Sequence, residues 1–184
     1  MKTYFIITLM IILLSFGFSA CDLSSGKGFN FDEKTFSSEW NKWENRSILN
    51  YSFTINGQFP HWNMPRAILM YNYEVNIIVK NGILYSFEYI GENVPYDDDG
   101  EILKPEFISI SELYQKIFDR ANREKIWWNN YSGNGIISTT LNVEYDPQFN
   151  YITFYEPVSN YKSGWLVDTT DHAIRISNFM ILEN

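Results

Sequence analysis

Hydrophobic positions along this chain fall into three patterns. From Tyr4 to Phe18 the residues are apolar almost without a break. Further on they alternate with polar residues in short blocks, and in two places they recur at helical spacing. Tyr51, Phe53 and Ile55 alternate with Ser52 and Thr54, which predicts a strand ended by Asn56-Gly57. Tyr71 to Lys80 alternates with Tyr73, Val75, Ile77 and Val79 on one face, and Ile83 to Ile90 alternates in turn. The Asn81-Gly82 pair between them tolerates positive φ at both positions, so a tight hairpin is expected. Thr139–Tyr145 and Tyr151–Pro157 form another strand pair, joined by a turn that Asp146 opens, Pro147 stiffens and Asn150 can leave left-handed. His172 to Leu182 carries apolar residues on both alternations, which predicts a last strand covered on both faces in places.

The helical spacing comes first at Trp40 and Trp43, after a cap at Ser37 or Ser38 with Glu39 in the first turn, and ends near Ser47. It returns at Leu113, Ile117, Phe118, Ala121 and Ile126, opened by the capping box Ser109-Ile110-Ser111-Glu112 and ending near Trp128. The predicted order is helix, three strands, helix, three strands. That order implies an α+β fold of antiparallel sheet meanders with two helices packed on one face. It also contains a faint duplication, helix plus meander twice.

Three stretches show no period. Residues 21–36 are rich in Ser, Gly and Lys and are expected to be a tether, leaving 37–184 as a single domain. Phe59 to Met70 is irregular and holds Pro60, His61, Trp62 and Pro65. Gly91 to Lys104 contains Asp97-Asp98-Asp99-Gly100-Glu101, whose spacing partly suits a Ca²⁺ loop. The first ligand position would fall on Pro95 and no helix enters it, so a solvated acidic loop and no metal site are expected.

Residues 1–20 carry Lys2, the apolar run, and small residues at Ser19 and Ala20, the pattern of a signal peptide that is too short for an ordinary membrane span. Cys21, the only cysteine, follows directly. Phe18-Ser19-Ala20-Cys21 resembles the lipobox of bacterial lipoproteins, with phenylalanine where leucine is usual. The resemblance implies acylation of Cys21, here with palmitate-type chains, cleavage in front of it and a lipid anchor in the cell envelope. Two or three acyl chains hold a protein stably where one does so only reversibly.

Composition narrows the functions. A formal net charge of -8 gives no electrostatic footprint for nucleic acid, and anionic lipid would repel the body as a whole. No second thiol exists for a disulfide, so apolar burial must supply the stability. The aromatic share of 18% fits strands of a sheet core better than a stacking platform.

Most of the mature chain also resembles an uncharacterised family of small bacterial lipoproteins. The resemblance rests on Trp43, Tyr51-Ser52-Phe53, the Ile77–Gly82 hairpin and the turn Tyr145-Asp146-Pro147-Gln148-Phe149-Asn150-Tyr151-Ile152. The chain departs from that family at Asn150 and Ile152, where glycine and proline are usual. The family brings no known activity or ligand.

Catalytic chemistry has little to work with. His61 and His172 are the only neutral-pH bases, Asp171 and His172 would point to opposite faces of a strand, and no nucleophile elbow, phosphate loop or metal pair occurs. No catalytic residue and no cofactor are therefore expected. The expected function is a non-catalytic envelope lipoprotein binding a protein or peptidoglycan-like partner. A carboxylate-based envelope hydrolase and an inhibitor of a secreted enzyme are the alternatives. The candidate binding residues are Trp62, Trp127 and Trp128, large aromatics in or beside irregular segments.

Overall fold

The computed structural model describes residues 28–60, 70–96, 99–105, 107–130, 135–162 and 173–183. Nine elements follow in chain order: β1 (Gly28–Asn30), α1 (Glu33–Asn45), β2 (Tyr51–Pro60), β3 (Met70–Lys80), β4 (Ile83–Ile90), α2 (Ile110–Asn130), β5 (Ile136–Tyr145), β6 (Ile152–Tyr161) and β7 (Ile174–Ile181). The strands make one seven-stranded sheet in the order β1-β5-β6-β7-β2-β3-β4. The fold is mixed α+β, and every pairing is antiparallel except β1 with β5.

The strand β1 changes the expected order. Residues 28–36 are not tether: Gly28–Asn30 pairs with Ser138–Thr140, and Phe29, Phe31 and Phe36 pack into the aromatic cluster. A three-residue strand is too short to show a period, and its partner lies more than a hundred residues away. The first helix also starts earlier than expected. Asp32, not Ser37 or Ser38, is its cap, with a carboxylate oxygen accepting from the Thr35 N–H at 3.0 Å. That hydrogen bond is the main reason the Asp32 carboxyl titrates below its ordinary value.

Nor do the helices form the simple layer expected on one sheet face. α1 is held chiefly by α2 and by the β5–β6 turn. Trp40 stacks on Tyr114 at 5.8 Å and an interplanar angle of 6°, Phe36 meets the same ring edge-on, and the Trp43 indole N–H donates to Ser111 Oγ at 3.1 Å. Lys125 pairs with Glu33 at the other end of the helix pair. The two helices therefore run antiparallel, because the α1 residues Glu33, Trp40 and Trp43 find partners on α2 at Lys125, Phe118 and Ser111 in that order.

Beneath them, Tyr51, Phe53, Ile55, Val75, Ile77 and Val79 form the centre of the core. The Tyr51 hydroxyl accepts the Ile110 N–H at 3.2 Å, satisfying a donor at the start of α2, and burial pushes its pKa up to about 12. The Ser109–Glu112 cap is present: Ser109 Oγ accepts from the Glu112 N–H, and the Glu112 carboxylate accepts from the Ile108 N–H.

The Asn81-Gly82 hairpin is present, with φ of 53° and 75°. A Cβ at Gly82 would meet only Leu49, at 3.6 Å, so space does not demand the glycine; the backbone angle does. Gly82→Val is expected to destabilise by about 1–3 kcal/mol through strain at this angle. Urea unfolding checks it, and an unchanged midpoint would refute the account.

Asn56-Gly57, by contrast, does not end β2, which continues to Pro60 in register with β3. Gly57 lies opposite Tyr73, and a Cβ there would stand 2.8 Å from the tyrosine oxygen. The missing side chain makes room for a cross-strand ring; it does not make a turn.

In β7 the expected two-sided covering resolves into a change of phase. Ile174 and Ile176 are buried, the pairing with β2 slips between Ser52 and Thr54, and Asn178 takes φ 51°. This bulge returns Phe179 to the core beside Tyr51 and Tyr151.

Candidate binding face

The apolar half of each strand faces the core, which leaves the polar half to form the opposite surface of the sheet. There one cross-strand row runs over five strands. Asn56 of β2 pairs with Glu74 of β3 on one side and Arg175 of β7 on the other, Arg175 with Phe154 of β6, and Phe154 with Glu144 of β5. The Arg175 guanidinium sits 4.8 Å from the centroid of the Phe154 ring, a cation–π contact that fixes a charge over an apolar platform. A carboxylate lies two strands away on either side.

Neighbouring side chains tie this surface together. Asn56 Nδ2 donates to Ser177 Oγ, and Thr54 donates to Asn76 and accepts from Asn178. Asn142 reaches Glu156, and Asn160 donates to Ser138. Cross-strand amide and hydroxyl pairs of this kind hold rotamers in place, so the surface is preorganised.

The row borders a shallow cavity of about 590 Å³ whose lining includes Asn56, Asn72, Phe154, Glu156 and Arg175. It opens because β6 and β7 share only two residue pairs, Phe154↔Arg175 and Tyr155↔Ile174. β2 meets β7 no further than Asn56↔Arg175. Among the described residues, the edges of β2 and β6 beyond these pairs face each other across the gap.

A second polar cluster is structural. Arg46 donates to Asn150 Oδ1 from two nitrogens, at 3.1 and 2.8 Å, and also to the Gln148 carbonyl. Asn150 Nδ2 donates to Glu39 at 2.7 Å. Hydrogen bonding from Lys42, then from Asn150, holds the Glu39 carboxyl below its ordinary value against the opposing effect of burial. Asn150 has φ 63°, which explains why glycine suits that turn position and asparagine also does.

Of the candidate residues read from the sequence, only Trp127 and Trp128 are among the described residues. Cys21, Trp62, His61 and His172 lie outside the described residues, as do Asp97 and Asp98 of the acidic loop. Trp127 and Trp128 are half-buried in the last turns of α2, their rings edge to face at 5.0 Å. The Trp128 indole N–H is buried with no hydrogen-bond partner among the described residues. The exposed apolar side chain beside them is Ile126, at 62%.

Sequence reasoning missed Arg175, Phe154 and Asn56. The polar half of each strand alternation is the signal that marks them. Among the described residues no helix is long and apolar enough to cross a membrane, and no cluster of metal-binding side chains occurs. Comparison with known proteins finds no match: no protein family, no curated protein and no solved structure is similar to this chain.

Proposed function

We propose that this chain is a bacterial cell-envelope lipoprotein, anchored through acyl chains on Cys21, whose domain binds envelope glycan at the open sheet face. The observation that supports binding there is the fixed row Glu74–Asn56–Arg175–Phe154–Glu144 beside an open groove. Carboxylates and amides accept and donate to sugar hydroxyls and acetamido groups, and Arg175 suits the carboxylates of peptide stems. Holding these groups on neighbouring strands lowers the entropy lost when a polymer docks.

The test is co-sedimentation of the purified protein with peptidoglycan sacculi. Arg175→Ala is expected to weaken retention about tenfold, the value of one charge-assisted contact of ~1.4 kcal/mol. Its unfolding midpoint should stay within about 0.5 kcal/mol of wild type, since Arg175 is exposed. Retention equal to wild type would remove the glycan reading.

A protein partner is supported by a different observation. β4 is a sheet edge that presents Ile83, Tyr85 and Ile90 at 70%, 65% and 42% exposure, a surface suited to strand addition.

A further inference from the structure

We infer that the C-terminal end of α2, with Ile126 outermost and Trp127 and Trp128 behind it, rests on the surface of the lipid bilayer. This rests on the proposed anchor at Cys21 and adds which side of the domain meets the membrane. β1 begins at Gly28, seven residues after Cys21. Fully extended, seven residues span no more than about 25 Å, so the domain is held against the bilayer and the end at which β1 begins is nearest to it.

The topology says what lies at that end. Gly28 pairs with Ser138 near the start of β5, and α2 finishes at Asn130, a short connection before β5 begins at Ile136. β6 ends there too, since Ile136 pairs with Tyr161. The tether, the last turns of α2 and Lys162 therefore share one corner of the molecule.

That corner differs in chemistry from the rest. From Lys116 to Lys125 the helix carries four bases against two acids, within a chain of net charge -8; Arg120 bridges Glu124 and Lys125 bridges Glu33 of α1, so the positive excess that remains is one charge. Ile126 follows at 62% exposure, then the half-buried tryptophan pair. An apolar residue and amphipathic rings bordered by Lys and Arg suit the headgroup layer of an anionic membrane. The acidic residues Glu92, Asp99 and Glu101 follow β4, which lies six strand spacings from β1 in the sheet, about 29 Å at ~4.8 Å each. That is several Debye lengths, so their repulsion from anionic lipid is screened at the corner that touches down. Net charge argues against any contact of this body with lipid; at this corner the acids Glu33 and Glu124 are paired with Lys125 and Arg120 and the acidic loop is distant, which weakens the objection there.

The experiment places one environment-sensitive fluorophore on the full lipidated protein, at Ile126→Cys or, as a control, at Tyr85→Cys. Tyr85 is equally exposed, at 65%, and lies beside the Asn81-Gly82 hairpin at the opposite end of the strands. Both variants should unfold at the wild-type midpoint. The proteins are reconstituted into phosphatidylethanolamine–phosphatidylglycerol vesicles containing nitroxide-labelled lipid. Quenching at 126 is expected to exceed that at 85 by about threefold or more, and to shrink when the anionic lipid is replaced by phosphatidylcholine. Equal quenching at the two sites, or none at either, in protein that floats with the vesicles overturns the contact while leaving the anchor standing. Protein that does not float overturns the anchor, and the contact with it.

Discussion

Tyr114→Ala is expected to cost about 3–5 kcal/mol, the range for truncating a fully buried aromatic. Tyr114 has no exposed surface and joins three parts of the molecule. Its ring stacks on Trp40 of α1, meets Phe36 edge-on at 5.3 Å and stacks on Tyr145 of β5 at 6.4 Å. Its hydroxyl donates to the Asn150 carbonyl at 2.6 Å in the β5–β6 turn. The cavity left by alanine would lie where helix, helix and sheet meet, and the stiff surrounding rings leave it little way to collapse. Tyr114→Phe separates the two contributions. It keeps the packing and leaves a buried carbonyl without its donor, for an expected loss of about 1–3 kcal/mol. Urea unfolding of both variants checks this, with the slope unchanged if the change lies in the folded state. A loss below about 1 kcal/mol for the alanine variant would mean that α1 docks independently of Tyr114.

What the sequence shows of this fold depends on the range of the cause. The β3–β4 hairpin is legible because Asn81 and Gly82 both take the positive φ that their types tolerate. The Asp146 turn is legible for a similar reason: its carboxylate accepts from the Gln148 and Phe149 N–H groups within four residues. The long helix α2 announces itself through its cap and its buried positions Leu113, Ile117 and Ala121.

Distant causes are not legible. Gly57 looks like a turn residue until Tyr73 is seen to lie against it. The phase change in β7 depends on an unpaired residue opposite Ser52–Thr54, and β1 depends on Thr140 and its neighbours. The candidate binding face is less legible still. Its residues come from strands brought together by tertiary pairing, and Arg175 acquires meaning only once Phe154 is its neighbour. No spacing along the chain joins residues 56, 154 and 175.

Replacing Cys21 by serine is expected to have the largest effect outside the folded domain: loss of all acyl modification. In wild type, a lipid-modified Cys21 supplies at least two chains, and each buried CH₂ contributes about 0.8 kcal/mol of membrane affinity. Serine has no thiol to form the thioether. Membrane association alone is a poor readout, because a variant that is not cleaved keeps the apolar stretch from Tyr4 to Phe18, which itself partitions into lipid. Incorporation of an alkyne-tagged palmitate and the mass of the N-terminal peptide separate the cases. Wild type should carry the tag and begin at residue 21, and Cys21→Ser should carry none and retain residues 1–20. Equal labelling of the two proteins, or none in wild type, would remove the anchor. The seven-residue reach to Gly28 would then no longer confine the α2 corner to the bilayer.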